Sequence, residues 1–172
     1  MKKSHKNYCF IDWQNLHLGT STDGWKIDPY KLRVYLRDKY HISKAYYFLG
    51  YVKDENNGLY TSLQEAWFIV VFKKQMVEMT SKKKWNIDSD MIFHVMEKMI
   101  EETDKFDKFV IVSWDGDFKI LIEYLIKKQR LEKILFPNKR FTSSLYKDVE
   151  ITYKASLIDV KNKIEYKKRE AS

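Results

Sequence analysis

Four consecutive apolar residues, Phe109-Val110-Ile111-Val112, end abruptly at Ser113-Trp114-Asp115-Gly116-Asp117. An unbroken apolar run of this length predicts a strand buried on both faces, as in a parallel sheet. A helical apolar period then begins near Phe118, with Ile120, Leu121, Tyr124, Leu125 and Lys128 as its inner positions. The same pattern opens the chain. Tyr8 to Ile11 predicts a first strand, and Asp12 lies at its end. Trp13-Gln14-Asn15 and Gly19 to Gly24 read as loop. Asp28-Pro29 opens a helix, with Asp as N-cap and Pro at the first helical position, and Leu32, Tyr35, Leu36 and Tyr40 form its stripe. Residues 42–51 predict a second strand, Asn56-Asn57-Gly58 a turn, Leu59, Leu63 and Ala66 a short helix, and Phe68 to Phe72 a third strand. Residues 80–86 form a basic loop, followed by a helix over 88–102 with Met91, Ile92, Val95, Met99 and Ile100 on one face. Lys133 to Phe136 predicts a fifth strand, Ser143 a short helix, and Ala155 to Ile164 a terminal helix.

Strands that alternate with helices imply βαβ units and a parallel sheet. Their crossovers are right-handed, which gathers the carboxyl ends of the strands on one edge. Ligands of open α/β sheets bind at that edge. The fold class expected is therefore α/β. No repeat, linker or low-complexity segment divides the 172 residues, so the expectation is one domain over 1–172, with a core over about 7–160 and a basic tail over 161–172.

Composition sharpens this picture. Hydrophobic residues make up 44% and aromatics 16%, which excludes a disordered chain. The net charge of +8 suits a polyanionic partner. The single cysteine, Cys9, lies in an apolar run and suits a reducing compartment. Met1-Lys2-Lys3 has the basic start of a secretory signal, but the apolar run after it is short and Asp12 interrupts it. No stretch approaches a membrane span. The expectation is a cytoplasmic protein with no membrane partner.

The chemistry lies in the acids. Asp12 ends the first strand, while Asp115 and Asp117 follow the fourth. At about 100° per residue, Asp88 aligns with Val95 and Met99 on the sheet-facing side of its helix. By the same count Asp90 lies about 200° away, toward solvent, and His94 lies on the flank. Carboxylates that converge repel one another, and a divalent cation removes that cost. Mg²⁺ takes one or two carboxylates plus phosphate oxygens. The plainer reading is that Asp88 is a helix cap, and that one of Asp115 and Asp117 caps the next helix while the other makes a turn.

Three stretches together resemble a known family. Phe10-Ile11-Asp12-Trp13-Gln14-Asn15 is similar to its "ID-x-x-N", Lys84-Trp85-Asn86-Ile87-Asp88 to its "K-x-x-x-D", and Ser113-Trp114-Asp115-Gly116-Asp117-Phe118 to its "S-G-D-x-D-F". In order and spacing they resemble the NYN domain, the LabA-like branch of the PIN-like nucleases. The resemblance implies a three-layer α/β/α sandwich with a central, mostly parallel sheet. It also implies metal-dependent ribonuclease activity using Mg²⁺ or Mn²⁺, with Asp12, Asp88, Asp115 and Asp117 in the acidic site. Asn15 would orient a ligand or the scissile phosphate, and Ser113 would brace the strand-end turn.

Two departures stand out. His94 occupies a position where relatives commonly carry a further Asp; it is either a ligand suited to Mn²⁺ or Zn²⁺ or a flank residue. Trp114 replaces a usual Gly and either stacks on a base or packs. Lys82, Lys83, Lys84, Lys139 and Arg140 are candidates for contact with RNA phosphates, single-stranded or structured, or else they are solvated charge. Trp25, Trp85, Tyr46 and Tyr47 are expected to pack in the core or in loops. The rival readings are a catalytically weakened RNA-binding or regulatory module and a metal-dependent phosphatase of small substrates. A dinucleotide enzyme is disfavoured because no Gly-rich loop follows the first strand. A homodimer stays open.

Overall fold

The structure is a computed structural model that describes residues 6–50, 52–72, 87–138, 140 and 143–168, apart from the side chains of residues 87 and 88. The strands are β1 (Asn7–Asp12), β2 (Ile42–Leu49), β3 (Ile69–Phe72), β4 (Phe109–Val112), β5 (Leu131–Phe136) and β6 (Lys154–Ser156). They form one sheet in the order β3-β2-β1-β4-β5-β6, and every pairing is parallel. The order runs outward from β1 in both directions, so a topological switch point lies between β1 and β4. There Ile11 stands opposite Val112, which brings Asp12 and Ser113 together at the carboxyl edge.

Helices cover both faces. They are α1 (Trp13–Ser21), α2 (Pro29–Tyr40), α3 (Asn57–Glu65), α4 (Ile87–Glu101), α5 (Lys119–Lys127) and α6 (Lys161–Ile164). The period-two alternation of β1 divides its side chains between two cores. Cys9 and Ile11 join Leu16 of α1, Leu32 and Leu36 of α2, Leu63 of α3 and Ile164 of α6 on one face. Tyr8 and Phe10 join Met91 and Val95 of α4 and Leu121, Ile122 and Leu125 of α5 on the other. The result is a three-layer α/β/α sandwich.

Several expectations are corrected. Trp13–Ser21 is a helix and not a loop, because Asp12 leaves β1 with extended backbone and accepts from the Asn15 N–H as its N-cap. The Asn56-Asn57-Gly58 turn is instead a short 3₁₀ segment, Asp54–Asn56, that runs into α3. The second strand stops at Leu49, and Tyr51 lies outside the described residues. The terminal stretch is not one helix: Lys154–Ser156 pairs with β5 as a sixth strand before a 3₁₀ turn and α6. Ile100, Ile120 and Tyr124 face solvent although their spacing suits a core stripe. Leu121, Ile122 and Leu125 are the buried positions of α5.

Candidate active site

Asp12 is the most buried acid at the carboxyl edge, with 2% of its surface exposed. One carboxylate oxygen accepts from the backbone N–H of Asn15 at 3.1 Å, and the other accepts from the Asn15 side-chain amide. Burial pushes the Asp12 carboxyl above the usual carboxylate range. The Asn15 bonds pull it back in part, and the negative charge of Asp115 pushes it up again. The two acids of the switch point therefore sense each other. Asn15 is itself buried, and its side-chain oxygen has no hydrogen-bond partner among the described residues.

Ser113 is fully buried, and its Oγ accepts from the Asp115 N–H at 3.1 Å. Asp115 in turn caps the 3₁₀ turn Gly116–Phe118, with its carboxylate accepting from the Asp117 N–H at 3.0 Å. The Tyr146 hydroxyl donates to the Asp115 carbonyl. Three bonds from two different loops thus set this short turn, and Asp115 lies half-buried between β1 and solvent. Asp117 is exposed. Capping by Asp115, the plainer reading of its presence, coexists with its closeness to Asp12.

Trp114 is half-buried and packs against the α4–α5 core. Its ring also lies over Gly19 of α1: a Cβ at Gly19 would overlap Cζ3 of Trp114 and stand 2.7 Å from Cβ of Pro137. Of the two roles open to Trp114, the packing one is filled by these contacts. Trp25, Tyr46 and Tyr47 are all buried in the cores, while Trp85 lies outside the described residues.

Asp88 lies in the first turn of α4, with its side chain outside the described set. Val95, a helical week further along, is fully buried, Met99 is half-buried and Asp90 is exposed. His94 is half-buried with its ring edge-on to Phe48 at 5.4 Å between centroids. Phe48 is the β2 neighbour of Asp12, and the His94 Nδ1 is buried without a partner among the described residues. Lys82, Lys83, Lys84 and Lys139 lie outside the described residues. Arg140 is exposed and stands 3.7 Å from Asp23. Asn138 carries no functional signal in the sequence. It is nevertheless 2% exposed, and its amide donates to the Gly19 carbonyl at 3.1 Å and to Asp23 at 2.8 Å, tying the loop after β5 to α1. An Asn after Pro at a strand end carries the signal of a turn, and nothing in the sequence pairs it with Asp23.

Among the described residues the donors gathered at this edge are oxygens: the Asp12 and Asp115 carboxylates and the Asn15 amide carbonyl. That set suits a hard divalent cation, which takes one or two carboxylates and keeps waters for the remaining positions. Among the described residues no three His, Cys, Asp or Glu side chains form a closed metal cluster.

The family model of the NYN domain matches residues 7–154. The chain is 26% identical over 126 residues to the low amplitude and bright protein LabA of Synechococcus elongatus, covering 70% of this chain and 67% of that protein. A crystal structure of a protein of unknown function from Vibrio parahaemolyticus is similar with a TM-score of 0.67, at 18% identity, over 91% of this chain and 93% of that one. At that identity the likeness is one of fold.

Proposed function

The chain belongs to the NYN domain family, and from that premise we propose that it hydrolyses RNA phosphodiester bonds with the help of Mg²⁺ or Mn²⁺. One observation carries the reading: a carboxylate that is 2% exposed ends β1 at the switch point, where the pairing of Ile11 with Val112 brings the Ser113–Asp115 turn to the same edge. Burying one acid beside another costs stability unless a cation occupies the space between them. Perturbed acids of this kind concentrate at functional sites.

In this proposal Asp12 and Asp115 hold the cation, with Asp88 and Asp117 as the further acids of the same edge. A bound divalent cation supplies polarisation of a phosphoryl oxygen and a water of lowered pKa. The protein's own groups do the rest. Asn15 fixes both oxygens of Asp12, and its free carbonyl oxygen accepts from a water or a ligand donor. Ser113 and Tyr146 hold the Asp115 turn rigid, as a ligand must be held. Asp12 has to lose its proton before it can bind a cation, and burial opposes that loss. Cation affinity and cleavage therefore rise with pH through the raised Asp12 pKa. Lys82, Lys83, Lys84, Lys139 and Arg140 are the groups proposed to neutralise phosphates flanking the scissile bond.

The test is cleavage of single-stranded RNA by the wild type and by Asp12→Asn. Asn caps α1 as well as Asp does, so the fold is kept. Wild type should cut with Mn²⁺ or Mg²⁺ and stop in EDTA, and Asp12→Asn should lose activity by orders of magnitude. Undiminished cleavage in EDTA would overturn the metal mechanism. The rival reading, an RNA-binding module on the same fold that does not cut, draws on the two departures from the family pattern, His94 and Trp114. RNA binding without cleavage under any divalent metal would establish it.

A further inference from the structure

A cavity of about 430 Å³ opens on the other helical layer, along the outer side of α2. Tyr30, Lys31, Val34, Tyr35 and Lys39 line it from α2, and Lys163 reaches it from α6. Tyr30 and Val34, Lys31 and Tyr35, and Tyr35 and Lys39 are each four residues apart, so the α2 positions share one broad side of the helix. From Lys31 to Lys39 that face runs about 12 Å.

The charge in the groove is mostly positive, three lysines against one aspartate. The acid present, Asp38, is bonded by Arg37 at 2.7 Å. Lys39 and Lys163 are exposed and make no ion pair among the described residues. Lys31 donates to the Glu165 carbonyl at 2.9 Å, which pins α6 against α2 and leaves two of its three N–H groups available. The apolar part is aromatic. Tyr30 is 64% exposed, which leaves most of its ring uncovered. Tyr35 is held edge-on to the buried Tyr40 at 5.9 Å between centroids, so its ring is preset.

Planar rings beside three ammonium groups, against one carboxylate that Arg37 already pairs, fit a ligand that alternates flat bases with anionic phosphates. An acidic peptide would satisfy the lysines but would leave the aromatic faces bare. The topology supplies the direction. The backbone N–H of Asn7, at the start of β1, donates to the His41 carbonyl just past the end of α2, so α2 runs antiparallel to the strands. Its first turn, with Tyr30 and Lys31, therefore lies at the same sheet edge as Asp12 and Asp115. Moreover, α6 lies beyond residues 7–154, the part matched by the family model.

We infer that the α2–α6 groove is a second subsite for single-stranded RNA, taking a base on Tyr30 and backbone phosphates on Lys31, Lys39 and Lys163. It rests on the RNA reading above and extends it: the groove would hold a strand away from the acids and set which stretch reaches them.

The test is fluorescence anisotropy of a labelled single-stranded RNA in EDTA, so that binding is read without cleavage. All substitutions are at exposed positions. Tyr30→Ala should weaken binding about tenfold, Tyr30→Phe should restore it, and affinity for duplex RNA should not move, because its bases are not free to stack. Lys39→Ala with Lys163→Ala should lower the salt slope by about two phosphate contacts. Wild-type binding with all variants unchanged would overturn the groove and leave the nuclease reading standing. No RNA binding by the wild type in EDTA would overturn the groove as well, and the nuclease reading would then stand or fall by its own cleavage test. If Tyr30→Ala weakened binding of free adenosine monophosphate but not of RNA, the groove would be a mononucleotide pocket and the inference would fail.

Discussion

Asp12 does two jobs with one carboxylate. It caps α1 through Asn15 and stands buried beside Asp115. The family resemblance implies one site for both acids, and the register of β1 on β4, with Ile11 opposite Val112, is what brings their strand ends together. Gly19 carries the same lesson. Its place in an apparent loop suggests a turn glycine, yet it lies inside α1 and makes room for the Trp114 ring. Ala in a helix interior gains about 1 kcal/mol over Gly. Overlap with a ring and with Pro137 costs about 1–3 kcal/mol. The overlap should win. Gly19→Ala should lower stability in urea denaturation and shift the near-ultraviolet dichroism of tryptophan. A variant as stable as wild type would mean that Trp114 is not seated on α1.

Elements with strong local signals were legible: the apolar runs of β1 and β4, the Asp28-Pro29 start of α2 and the stripe of α4. Those settled by tertiary contact were not. The α1 segment lacks charge in either end turn and contains Gly and Thr, so it reads as loop until Asp12 caps it. The Lys-Ala-Ser of β6 has little β propensity and is a strand because β5 pairs with it. The opposite edge of the sheet shows how elements are locked together. Glu102, just after α4, accepts from Lys44 of β2 at 2.9 Å and Tyr8 of β1 at 2.9 Å, and it pairs with Lys98 at 3.0 Å. The lysines hold its carboxyl down to about 2. A carboxylate depressed in the folded state stabilises above its unfolded pKa, about 4.3, and that contribution is lost as pH falls toward about 2. Glu102→Gln should cost about 1–2 kcal/mol at neutral pH and flatten the acid limb of the stability profile. Equal urea midpoints for variant and wild type at neutral pH would assign these contacts no net value.

At the scale of the whole molecule, the sandwich separates its tasks between the two edges of one parallel sheet. The amino edge is closed by the Glu102 network and by Asn7, whose side chain bonds the Tyr40 carbonyl and the Lys108 N–H. The carboxyl edge keeps Asp12, Asp115 and the Asn15 side-chain oxygen, which has no partner among the described residues. This division was legible as a fold class, because alternating strands and helices put all carboxyl ends together. Which acids meet there follows from the strand order, which no local pattern encodes and which the family resemblance alone implied. The account stands on a cation between Asp12 and Asp115. Its most direct measurement is a calorimetric titration of Mn²⁺ into wild type and into Asp115→Asn at neutral pH. The substitution keeps the cap and removes one charge. The account predicts saturable binding to wild type, weakened at least about tenfold in the variant. No binding to wild type, or equal binding to both, would contradict it.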